Sequence, residues 1–130
     1  MTTDRELLER AAKAAGLGDL VFANGADDDG YDDGIWKYTW RRGESGKLVG
    51  WNPLTDDGDA LRLAVKLRIH AKQFPILDNG FDVPLGMVEV WRVDDEDPLH
   101  VEFLRGGADR LVATRRAIVR AAAEIGKELK

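Results

Sequence analysis

The residues best suited to chemistry in this chain are aromatic and basic. Trp36, Tyr38 and Trp40 alternate along one stretch, so an extended backbone sets all three rings on one face. There they could stack a planar ligand such as a nucleobase. Arg68, His70 and Lys72 repeat the same two-residue spacing and present a cationic face. Arg115 and Arg116 lie side by side near the C-terminus, and the planar guanidinium fork suits carboxylates and phosphates. Combined, these positions describe nucleotide binding, with Trp36, Tyr38 or Trp40 on the base and Arg115, Arg68 or Arg116 on phosphate. Each has a plainer reading. The aromatic face can be covered by a helix, the basic strand face can be solvated, and the Arg115 stem can run along the core edge to water or a structural carboxylate.

Catalytic inventories are thin. The chain has no cysteine, which excludes disulfides, thiolate metal sites and cysteine nucleophiles. Ser45 is the single serine and lies in a polar turn, not a strand-to-helix elbow. Gly46-Lys47 ends like a phosphate-cradling loop, but Arg41 stands where the first glycine belongs and Leu48 replaces Ser or Thr. The acidic loop DDDGYDDG fails the calcium-loop pattern, because aligning Gly30 or Gly34 at its sixth position puts Trp36 or Trp40 in place of the bidentate Glu. His70 and His100 are the two histidines; Glu102 follows His100 on the polar side of its strand, a weak basis for a metal pair. Asp56, Asp57 and Asp59 could hold magnesium for phosphate-ester hydrolysis, yet helix capping explains them better. The expectation is no catalytic residue, no metal and no cofactor.

These residues need elements to position them. Thr3 followed by Glu6 reads as a capping box for a helix over roughly 4–15, stopped by Gly16. Leu20–Ala23 is an apolar run suited to a strand. Asn24–Gly34 holds five Asp and three Gly, a composition that keeps a loop exposed. Alternation predicts a strand over Ile35–Trp40, with Lys47–Trp51 returning as a hairpin. Thr55 or Asp56 caps a second helix to about Leu67, with Ala60, Leu61, Ala64, Val65 and Leu67 on its buried arc. Strands follow at Arg68–Phe74, Met87–Val93 and Leu99–Leu104. A long helix from about Ala108 to Leu129 closes the chain. Its apolar stripe is Leu111, Thr114, Ile118, Ala121, Ala122, Ile125 and Leu129, with Arg116, Arg120 and Lys127 opposite and Arg115 at the stripe's edge. The expected fold is α+β, a layered sandwich of three helices with one antiparallel or mixed sheet of about five strands, in αββαβββα order.

Composition agrees with one domain spanning residues 1–130. The chain is 44% hydrophobic and 33% charged, with four Trp and four Phe for core volume, and this length buries a core without staples. Net charge is −5. Residues 1–60 carry 13 acids against 7 bases and residues 61–130 carry 11 against 12, which disfavours general nucleic-acid binding. The opening MTTDRELLER has no apolar signal core, and no stretch approaches a membrane span. A cytoplasmic protein without a membrane partner is expected.

The segments WNPLTDDGDALRLAVKLRI (51–69) and ATRRAIVRAAAEIG (113–126) resemble recurring blocks of the phage ABA sandwich-domain family, and DRELLERAAKAAG is similar to its opening helix. The resemblance implies helix layers around a sheet and a phage or prophage setting in the bacterial host cytoplasm. It implies no settled activity. The expectation it supports is a non-enzymatic accessory protein that binds a host protein or a small ligand, in one form sequestering a nucleotide signal against host defence. The alternative is an oligomeric structural or protein-interaction module. A sandwich covered on both faces would bury part of Arg68-His70-Lys72, which sets the two readings in conflict.

Overall fold

In the computed structural model, which describes residues 3–17, 20–23, 38–42, 48–77, 85–93, 95–105 and 109–129, capping sets the helix limits. The Thr3 hydroxyl accepts the Glu6 N–H at 3.1 Å and opens α1, Asp4–Ala14. Gly16 adopts φ 73°, and the Leu17 and Gly16 N–H groups close back on the Ala12 and Lys13 carbonyls. That paired closure satisfies carbonyls the helix end would otherwise leave bare. Asp56 accepts the Asp59 N–H at 2.8 Å to start α2, Asp57–Leu67. Asp109 accepts the Leu111 and Val112 N–H groups to start α3, Arg110–Glu128.

The strands form two antiparallel meanders. Leu20–Ala23 (β1), Tyr38–Arg42 (β2) and Leu48–Gly50 (β3) make the first, in the order β1-β2-β3. Ile69–Leu77 (β4), Leu85–Arg92 (β5) and His100–Arg105 (β6) make the second, in the order β4-β5-β6. The α+β class and three helices stand, but the single sheet of about five strands and the αββαβββα order do not. There are six described strands in αβββαβββα order. Each pairs only with its chain neighbours, and α2 separates the two sets. Its start is set by the Asn-Pro turn: the Asn52 side chain accepts the Leu54 N–H, and its carbonyl accepts the Asp56 N–H.

One face of the second sheet is covered by α3, whose other side packs on α1, while α2 flanks α3 and β4. Leu8, Val88, Val90 and Val119 are fully buried at this centre among Ala11, Ala12, Ala117, Ala121 and Ala122. Burying each large side chain contributes about 1.5–3 kcal/mol. Small residues let the two helices close up, and at one point only glycine fits. A β-carbon on Gly126 would fall on the Arg10 carbonyl oxygen of α1.

Two expected helix faces need correction. On α2 the buried apolar positions are Ala60, Leu63 and Ala64, whereas Leu61 and Val65 are 65% and 69% exposed. Only one narrow side of α2 meets the core, and those two residues project about 100° away from it. On α3, Leu111 and Leu129 are exposed while Ala117, Val119 and Ala123 are buried, because this helix is packed between a sheet and another helix. Arg116 and Arg120, expected on a solvent stripe, reach across to α1 and β6 instead. Ile118 is buried, as its wheel position predicts. No described helix is long and apolar enough to cross a membrane.

Candidate functional site

The arginines of α3 work as tethers. Arg115, with its side chain 16% exposed, donates from Nε to the Leu54 carbonyl at 2.9 Å and from a terminal nitrogen to Asp57 at 2.6 Å. It therefore holds the entry to α2. Arg116 makes a forked contact with Asp4 at 2.9 and 3.4 Å, tying α3 to the first turn of α1. Arg110 reaches the Gln73 side chain and the Phe74 carbonyl on β4, both at 2.8 Å. Arg120 meets Glu102 of β6 at 2.7 Å, and His100 Nε2 lies 2.8 Å from the same carboxylate oxygen. Burial works to raise the Glu102 pKa, but the His100 hydrogen bond and the Arg120 charge outweigh it and leave the group below its ordinary value.

The remaining expected site residues lie elsewhere. Arg68 is not in a strand: it ends α2 in the left-handed conformation at φ 56°, a backbone state that costs a side-chain-bearing residue about 1 kcal/mol. His70 and Lys72 are exposed on β4, so the conflict over a doubly covered sheet resolves toward one covered face. Lys72 stands 5.6 Å from the centre of the Trp91 ring. Tyr38 and Trp40 are strand residues of β2, with Trp40 opposite Val21 and Gly50, while Trp36 lies outside the described residues. The acidic loop Asn24–Gly34 and Ser45 also lie outside them.

The acids proposed for magnesium are separately engaged. Asp56 caps α2, Asp57 pairs with Arg115, and Asp59 accepts the Asn52 N–H and an Arg62 guanidinium N–H. Among the described residues, no group of three or more His, Asp or Glu could hold a metal ion.

The register of the second sheet defines its two faces, because directly opposed residues share a side. Ala71–Val90–His100 and Gln73–Val88–Glu102 are rows on the face beneath α3. His70–Trp91, Lys72–Glu89–Val101 and Phe74–Met87–Phe103 are rows on the other. No described helix covers that second face, where Phe103 is 63% exposed and Phe74, Met87, Trp91 and Val101 are partly exposed. The alternation of His100, Glu102 and Leu104 with Val101 and Phe103 announces a two-faced strand. Binary patterning of this strand then assigns the faces the wrong way round: the polar pair lies under the helix and the apolar pair outside. The available signal was Arg120, a cation on the covering helix that needs an acid beneath it.

No protein-family model, curated protein or solved structure matches this chain.

Proposed function

We propose that this chain is a non-enzymatic phage or prophage accessory protein that binds a host protein through the open face of its second sheet. The observation that carries this reading is the row Phe74–Met87–Phe103, which crosses all three strands with Phe103 more than half exposed. Aromatic residues and Met are enriched where proteins meet, and contiguous exposed apolar surface marks interaction sites. Lys72 and Glu89, opposed in the adjacent row, supply polar contacts around it.

Protein recognition is better supported than nucleotide sequestration. Arg115 and Arg116, the cations that would meet phosphate, are engaged by Asp57 and Asp4. The phage setting rests on the resemblance of residues 51–69 and 113–126 to the ABA sandwich-domain family. The test begins with affinity capture from bacterial lysate by the intact chain and by Phe103→Asp, followed by calorimetry with the purified partner. The expected result is a partner whose affinity falls at least about tenfold in the variant, with unchanged circular dichroism. If every captured protein binds both chains equally, the reading fails; a dimer in sedimentation that Phe103→Asp dissociates would replace it with the oligomeric module.

A further inference from the structure

We infer that the groove between the end of α1 and the outer side of α2 is a binding site for a small monocarboxylate with an apolar body. This inference is independent of the sheet-face reading, because none of its residues belongs to β4–β6.

The groove has a volume of about 120 Å³, with Leu17, Trp51 and Leu63 among its apolar walls and Asp59, Arg62 and Lys66 as its charged groups. The volume approaches the roughly 150 Å³ of an apolar cavity that holds benzene, so one ring or a branched aliphatic group fits. Local sequence builds the walls. The Gly16 turn swings Leu17 back against α1, and the strand end at Gly50 delivers Trp51 beside Leu63.

The polar groups decide which end of a ligand is charged. Both carboxylate oxygens of Asp59 are occupied, one by the Asn52 N–H at 2.9 Å and the other by Arg62 at 2.8 Å. Arg62 is thereby balanced, and its hydrogen bond to Asp59 holds its pKa above the ordinary value. Lys66, one turn further along α2, has no ion-pair partner among the described residues. Trp51 is only 6% exposed, and its indole N–H makes no hydrogen bond to a described residue. A buried indole N–H ordinarily has an acceptor. Lys66 is thus the uncommitted cation of the site, no carboxylate in it is uncommitted, and Trp51 contributes a buried indole to its lining. A group bearing negative charge answers Lys66, and the apolar walls take the remainder of the molecule.

Benzoate is the probe. In a two-dimensional NMR titration of the full chain, benzoate is expected to shift the Trp51 indole N–H resonance saturably, assigned by its loss in Trp51→Phe. Lys66→Glu, an exposed substitution, should weaken binding by about tenfold or more, since hydrogen bonds to charged groups contribute about 1.5–3 kcal/mol. Benzyl alcohol, which keeps the ring and loses the charge, should bind more weakly by a similar factor. Absence of a saturable Trp51 shift up to about 20 mM benzoate overturns the inference. So does an equal response to inorganic phosphate, which would reduce the site to general cationic attraction, or an unchanged benzoate affinity in Lys66→Glu. Phe103→Asp should leave the benzoate titration untouched, so this site and the sheet-face reading can fail separately.

Discussion

The two faces of the second sheet are built from the same three strands and have opposite fates. Beneath α3, Val88 and Val90 are fully buried, and the polar members of their rows are answered: Gln73 by Arg110 and Thr114, Glu102 by His100 and Arg120. On the open side, the larger side chains Phe74, Met87, Trp91 and Phe103 stay in contact with solvent. Branched aliphatics decide most of this: Ile69, Val88, Val90 and Leu104 fill the covered face, while His70, Lys72 and Glu89 turn the other face toward solvent. The tethers from α3 then make the exception on β6 tolerable, because Arg120 and His100 answer the partly buried Glu102 carboxylate that would otherwise be costly there. The contrast teaches that the covered face and the open face are separable, so each can be perturbed without the other.

The largest expected effect tests the seat of α3. Gly126→Val should cost about 3 kcal/mol or more by forcing α1 off α3, read as a fall in the urea midpoint or as loss of the folded state. Retention of wild-type stability would mean that the helices can part without disturbing the covered face. Next comes the direct comparison across the sheet. Val88→Ala should lose about 2 kcal/mol to cavity formation, whereas Phe103→Ser should stay within about 0.5 kcal/mol. Equal losses in denaturation would show that the outer face is also part of the core.

The smallest effect concerns acid. Because the folded-state pKa of Glu102 lies below its ordinary value of 4.5, its contribution is fully present above that unfolded value. It is lost as pH falls through the lower folded value. The urea midpoint of the wild type should therefore drop, as pH falls below about 5, more steeply than that of Glu102→Gln. Parallel curves would remove Glu102 from the seam's acid response.

Much of the frame was legible in the residues because its determinants are local. Thr3 with Glu6, Asp56 with Asp59 and Gly16 set helix ends through bonds spanning three to five positions, and alternation marked the strands of the second meander. The candidate sites were far less legible. Arg115 stood out correctly as a cation at the edge of an apolar stripe, but its partners, Leu54 and Asp57, lie about sixty positions away in sequence. Phe103 and Trp51 drew no notice, since an aromatic residue in a strand or before a turn ordinarily reads as core.

The sequence by itself determined where helices begin and end, that three of them accompany antiparallel strands, and that the last one is packed through its centre at Ile118. Tertiary structure alone decided that the strands divide into two meanders, that Leu61 and Val65 face outward, and that Glu102 lies in while Phe103 lies out. The physical reason is range. Capping and alternation act within a turn or a strand, whereas burial depends on which surface another element brings up, and for β6 that element carries Arg120.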